Sequence, residues 1–380
     1  MLNKRISMRT INSGTRRSSR LMNLSGLIIL MAVIALVCIP GCCVADTGSG
    51  STKTITDMDG RTLTIPTTLN HVLTTYPPTS NLVYMLAPEK LMGWQTSAGK
   101  NKYMKDEYKN LPVVGGWYGG LTANYETFMS MNPDAIFEGF TRTGNYQETI
   151  DERQKNLNPY PLIEVADSTD VNNYTPSVKF MGETLGGDAK TKADELNTFY
   201  TTVYNKVKDK AQTIPQDKRK KVYYAEGVDG LKTEPDNSHV QLINLCGGIN
   251  VASKVAVKGG MGETPVNIED IISWNPDVII VREPKFYSDI YSDPNWQKIK
   301  AVQDKQVYLA PSDPLGWFDR PPCVNTVIGI PWVAKVLYPD EFKDLDITSL
   351  TKEFYSKFYH YDLTDSDVKD IMTGSGLQSY

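Results

Sequence analysis

Histidine is scarce in this chain, occurring only as His71, His239 and His360. A transition-metal site built from several imidazoles finds few ligands here. Cysteine is nearly as rare. Cys38, Cys42 and Cys43 crowd near the N-terminus and leave only Cys246 and Cys323 for the rest. Two cysteines make no disulfide framework, so an apolar core has to supply the stability. Also missing are G-x-S-x-G, the P-loop and H-E-x-x-H. No catalytic residue, metal site or cofactor is called for by motif. Acidic residues are plentiful and nothing singles out two of them, so a secreted hydrolase using cleft carboxylates stands as the alternative of another class.

The N-terminus reads as a targeting segment. Lys4, Arg5, Arg9, Arg16, Arg17 and Arg20 precede an apolar run from Leu24 to Ile39 that is short for a membrane span. Ile39-Pro40-Gly41-Cys42 resembles a lipoprotein processing box with Cys42 as the lipidated residue; Pro40 is unusual there, and Cys43 or an uncleaved anchor is the alternative. Loss of residues 1–41 removes six positive and no negative charges, taking the net charge from −4 to −10. An acidic exported chain is a poor nucleic-acid binder. Residues 42–53 hold a Gly/Ser/Thr tether.

Beyond the tether the chain repeats itself. Asn124 to Phe137 reads NYETFMSMNPDAIF and Asn267 to Ile280 reads NIEDIISWNPDVII, with seven of fourteen positions identical at an offset of 143. Such a recurrence points to two similar folded units. In each copy Asn is a good helix N-cap, and the following Glu places negative charge in the first turn. Pro133 and Pro276 end a short helix. The apolar runs that follow suit a strand buried on both faces of a parallel sheet.

The remaining elements alternate in the same style. Thr54–Thr56 and Leu63–Ile65 flank Asp59-Gly60, a hairpin signal. Strands are expected at 71–75, 161–165, 221–225 and 307–309, and helices near 79–86, 145–157, 240–246, 323–337, 346–359 and 364–373. Residues 188–213 carry the longest helical pattern, with Ala193, Leu196, Phe199, Tyr200, Val203 and Val207 on one face. A long helix between the two repeats predicts a stiff strut. The fold class read here is α/β: an N-terminal lobe at 54–175, a bridging helix region at 176–215 and a C-terminal lobe at 216–380, each lobe a mainly parallel sheet flanked by helices.

In open α/β sheets, ligands bind beyond the carboxyl ends of the strands. Tyr76, Trp117, Tyr118 and Phe140 lie at or after such ends in the first half, and Tyr224, His239, Arg282, Trp317 and Arg320 in the second. Two facing sheets would make a cleft lined by these rings and donors. Each aromatic also reads as packing, His239 as a structural histidine and Arg320 as a helix cap.

The Asp-Gly hairpin, the apolar helix leading to Gly93-Trp94, the two N-x-E…N-P-D units, the single long helix and Gly316-Trp317-Phe318-Asp319-Arg320-Pro321-Pro322 together resemble the substrate-binding proteins of ABC importers for iron–siderophores, haem and vitamin B12. The resemblance spans about residues 54–373. It implies the class III periplasmic-binding-protein fold: two lobes bridged by one helix, flexing little. It also implies a monomer anchored on the outer face of the cytoplasmic membrane, a metal-chelate ligand, and an ABC permease dimer as partner. A glutamate on each lobe then pairs with permease arginines. By position these are Glu148 and Glu269, with Glu126 or Glu152 as alternatives on the first lobe. Some members of the family bind molybdate or tungstate instead, and Arg320 with glycine-rich amides would suit an oxyanion; a nickel or cobalt chelate is a further alternative.

If Cys42 is the anchor, a Cys42→Ser chain should move from the membrane to the soluble extracellular fraction. A variant that stays membrane-bound and uncleaved would make residues 24–39 the anchor.

Overall fold

A computed structural model describes residues 51–118, 121–139, 146–166, 168–257 and 263–378. The targeting segment with Cys42, and Phe140, lie outside the described residues. The chain enters through an antiparallel hairpin, β1 (Thr52–Thr56) and β2 (Thr62–Pro66). Its turn is held by Asp57, whose carboxylate accepts from the Arg61 amide at 2.9 Å and from the Arg61 guanidinium at 2.8 Å. Gly60 supplies the left-handed residue, φ +85°.

The first sheet consists of β3 (Val72–Thr74), β4 (Ala135–Gly139) and β5 (Leu162–Val165), parallel and in that order. In the second half come β6 (Lys221–Ala225), β7 (Lys232–Thr233), β8 (Ile249–Asn250), β9 (Thr264–Pro265), β10 (Val278–Val281) and β11 (Val307–Leu309). There β11, β10, β6 and β8 form a parallel four-stranded sheet, while β7 and β9 pair apart from it. Each repeat thus supplies an inner strand: β4 lies between β3 and β5, and β10 between β6 and β11.

The repeat works the same way in both places. Asn124 accepts from the Glu126 amide at 2.8 Å to cap helix Tyr125–Ser130, and Asn267 accepts from the Asp270 amide at 2.8 Å to cap helix Ile268–Trp274. The asparagine before each proline is left-handed, φ 51° at Asn132 and 45° at Asn275, a conformation Asn tolerates better than most residues. The aspartate then pins the neighbouring strand. Asp134 accepts from the His71 amide at 2.9 Å, ahead of β3, and Asp277 from the Lys221 amide at 3.0 Å, at the start of β6.

Strand alternation divides the apolar side chains into layers. Val72, Ala135, Phe137, Ile163 and Val165 of the first sheet, and Val222, Tyr224, Val278 and Ile280 of the second, join one central core. Leu73, Ile136 and Leu162 turn outward to Phe128 and Ile150. Tyr223, Ala225, Ile279 and Val281 turn outward to Phe286 and Trp296.

The central core holds the molecule together. Helix Asp188–Gln212, 25 residues and about 37 Å long, buries Leu196, Phe199, Tyr200, Val203 and Val207 against it. Helix Tyr174–Leu185 packs so closely alongside that a Cβ on Gly182 would sit 2.4 Å from the Ala193 methyl. The C-terminal helices Gly329–Leu337 and Ile347–Phe354 complete the layer. Phe354 meets Phe199 at 5.3 Å between ring centroids. Polar ties cross the same seam: Tyr84 donates to the Tyr359 carbonyl at 2.6 Å, and Asp313 accepts from the Lys102 amide at 2.8 Å.

A continuous helix absorbs little dihedral change, and a shared apolar core resists separation. Filling the space between the sheets should leave the radius of gyration in small-angle scattering unchanged. A clear fall on loading would show that this seam opens and closes.

Candidate functional site

A cavity of about 770 Å³ opens where strand ends of both sheets converge. Pro77 and Asn81 enter it just after β3, Tyr224 from β6, Arg282 directly after β10, and Ala310 to Ser312 directly after β11. Parallel strands deliver their loops to one end, which is why residues far apart in sequence meet here.

Five of the expected residues line this cavity: Tyr118, Tyr224, His239, Arg282 and Arg320. Tyr76 stands one layer behind, its ring edge-on to Tyr118 at 4.4 Å. It fits there because residue 139 is glycine; a Cβ at that position would come within 1.9 Å of the Tyr76 ring. Burial, and then Tyr118, raise the Tyr76 phenol well above its ordinary pKa, so it stays protonated. Trp117 and Trp317 are not in the lining. Trp117 stacks on Tyr125 at 4.7 Å, with the Arg153 guanidinium 5.3 Å from its ring, on the outer side of the first sheet. Trp317 has no exposed surface and donates from Nε1 to the Tyr355 hydroxyl at 3.1 Å, tying the 311–322 segment to the C-terminal helices. Placing both tryptophans in the cleft wall is therefore corrected: a strand-end address does not say which way a side chain turns. Phe140 lies outside the described residues.

The structure adds a group of carboxylates that no spacing in the sequence marks. Arg320 donates through Nε to Glu226 at 2.9 Å and through Nη2 to Glu234 at 2.6 Å. It also lies 3.2 Å from Asp319. Arg282 donates to Glu263 at 2.7 Å, and Lys232 to the other Glu263 oxygen at 2.9 Å. His239 Nδ1 sits 2.6 Å from Asp319, whose second oxygen accepts from the Tyr224 hydroxyl at 3.2 Å. Glu226 and Glu234 have no exposed side-chain surface and Asp319 almost none. The two arginines therefore reach the cleft already paired with carboxylates. Removing Arg320 would leave two buried carboxylates without it, an effect on stability of about 3–5 kcal/mol. Arg320 is thus a structural counter-ion as well as a lining residue.

The electrostatics follow from the burial. Desolvation pushes Glu226 up to about 7, against the pull of Arg320 and with a push from Asp319. Its Oε2 is buried without a hydrogen-bond partner, which suits a protonated oxygen better than a charged one. Burial also works against the charge of Arg320, but Asp319 and Glu226 outweigh it and hold the guanidinium charged. Glu263 is lowered, chiefly by its hydrogen bond from Lys232. On the opposite wall Gln95 is locked by donating to the Thr74 carbonyl and hydroxyl, both at 2.7 Å. Among the described residues no group of three or more His, Cys, Asp or Glu side chains is arranged to hold a bare metal ion.

Glu226 makes stability depend on pH. Its folded pKa lies above that of an unfolded glutamate, so the unfolded chain releases its proton first. The protonated form's contribution is complete below about pH 4 and is lost as pH rises through about 7. In Glu226→Gln this dependence disappears. From about pH 4 to about pH 7.5, the gap in urea unfolding free energy should move in favour of the variant by roughly 3 kcal/mol. A constant gap would show that Glu226 does not titrate in this range.

Comparison with known proteins agrees with this architecture. Residues 72–314 match the periplasmic binding protein family. The molybdate-binding protein MolA of Haemophilus influenzae is 27% identical over 81% of this chain and 91% of its own. The iron-uptake system-binding protein of Bacillus subtilis is 23% identical over 51% of this chain and 60% of its own. The structure of an ABC transporter solute binding protein from Sulfurospirillum deleyianum superimposes with a TM-score of 0.76 at 30% identity, covering 84% of this chain and 99% of that one. Parallel sheets on either side of a long helix, a cleft at their strand ends and the match over residues 72–314 place this chain in the periplasmic binding protein family.

Proposed function

We propose that this solute-binding protein captures a metal chelate of the iron–siderophore, haem or cobalamin type in the cleft and delivers it to an ABC permease. The carrying observation is the state of the cleft cations. Arg282 and Arg320 are neutralised by Glu226, Glu234, Asp319 and Glu263. A small dianion entering here would meet four carboxyl groups set around two arginines, whereas a bulky chelate with little net charge would not need a free cation. The volume, about 770 Å³, falls in the range of about 300–1,000 Å³ that holds drug-sized ligands. Tyr118, exposed at the rim, offers a ring face.

A second reading, molybdate or tungstate, is favoured by the name of the Haemophilus influenzae relative. Protein purified from its host should carry, in native mass spectra with metal analysis, the added mass of an organic chelate with one iron or cobalt. Molybdenum or tungsten without an organic ligand would replace the chelate reading. Tyr118→Ala should weaken binding of the purified chelate at least about tenfold, and the chelate should leave the protein chemically unchanged.

The protein works outside the cytoplasm. Cys42 is proposed as its lipid anchor; no helix among the described residues is long and apolar enough to cross a membrane. For docking, Glu148 in the first turn of helix Tyr146–Leu157 and Glu269 in the first turn of helix Ile268–Trp274 are both exposed, one from each lobe. Glu126 and Glu152 are exposed as well. A monomer with one acidic contact per lobe suits a dimeric permease, because opposite charges desolvated at an interface set orientation and on-rate. Glu148→Arg with Glu269→Arg should keep chelate affinity and abolish transport in a reconstituted importer. Full transport by that pair would remove the docking assignment and leave the binding function standing.

A further inference from the structure

A second cavity, of about 380 Å³, lies apart from the cleft. Its walls are the last turns of helix Asp188–Gln212, the approach to β6 at Arg219, the turn at Asn172, and the segment from Asp236 to Gly247. Its cations differ from their neighbours. Lys206, Lys210 and Lys218 point elsewhere and sit within 4.0 Å of Asp344, Glu341 and Asp217. Lys208 and Arg219 line the cavity, and among the described residues neither has a carboxylate at that distance. Arg219 Nε is buried with no hydrogen-bond partner. A buried guanidinium nitrogen left unpaired is costly. Lys208 is steered by Tyr204: Nζ donates to the hydroxyl at 3.1 Å and stands 5.0 Å from the ring centroid. The one acid in the lining, Asp236, accepts from the Asn250 amide at 3.0 Å.

We propose that this cavity is a second binding site, for a small polyanion bearing phosphate or carboxylate groups. Arg219 would offer its two terminal guanidinium nitrogens, Nε being buried, and Lys208, held by Tyr204, a second positive charge in the same lining. The cleft arginines have their counter-charges built in; these two cations do not. The volume admits a phosphate ester or a tricarboxylate and is half that of the cleft. The site joins the end of the long helix to the segment that carries His239, so an occupant stabilises the folded state by binding it alone.

The test uses the full folded chain with inorganic phosphate and citrate as probes, against sodium chloride at equal ionic strength. Thermal unfolding of the wild type should rise by about 2 °C or more with at least one probe. Phosphate alone, citrate alone or both acting identifies which oxyanion chemistry the site takes. In Arg219→Gln with Lys208→Gln the rise should vanish, and amide resonances near residues 208–219 should no longer shift on titration. Lys208→Gln alone should lose part of the effect, which keeps the test intact should the pair fold poorly. An equal rise in the double variant, or no rise over chloride in the wild type, overturns the proposal.

Discussion

Two parallel sheets, each with apolar residues on both faces, set the constraint that everything else answers. A strand such as Val278–Val281 has no face to give to water. The outer faces are covered locally, by short helices that each sheet's own connections supply. The inner faces are covered in common, by helix Asp188–Gln212, its partner Tyr174–Leu185 and the C-terminal helices. Sharing one core ties the two sheets together, and loops from their strand ends line one cleft.

That cleft is organised by charges that cancel. Arg320 is held by Glu226 and Glu234, and Arg282 by Glu263. Such pairs fix the position of the lining side chains while leaving little net positive potential. Burial raises Glu226 towards neutrality, which softens the conflict among neighbouring carboxylates. Under the proposed function, ligand choice would fall to shape and to lining groups such as Tyr118, Tyr224 and His239. The cavity by Lys208 and Arg219 has the opposite character, with two cations that have no carboxylate within 4.0 Å among the described residues.

By itself the sequence determined whatever rests on local chemistry and period. The repeated Asn…Asn-Pro-Asp units cap a helix, turn the chain and start a strand with contacts inside or next to one segment, and their spacing made them visible. The long helix was legible from its apolar stripe, expected at 188–213 and found at Asp188–Gln212. Five lining residues were legible because parallel strands bring their carboxyl ends together. The pinning of the neighbouring strand by Asp134 and Asp277 was not, since it joins residues 56 or more apart in the chain. Tertiary structure alone decided which way side chains turn and which charges meet. Trp117 and Trp317 have the right address and face the wrong way, because rotamer and backbone direction at a loop depend on what packs behind it. Glu226, Glu234, Glu263 and Asp319 were lost among 44 acidic residues, and only folding removes Glu226, Glu234 and Asp319 from water and sets all four against two arginines. Burial and proximity across the whole chain create that network, and neither has a period that a sequence displays.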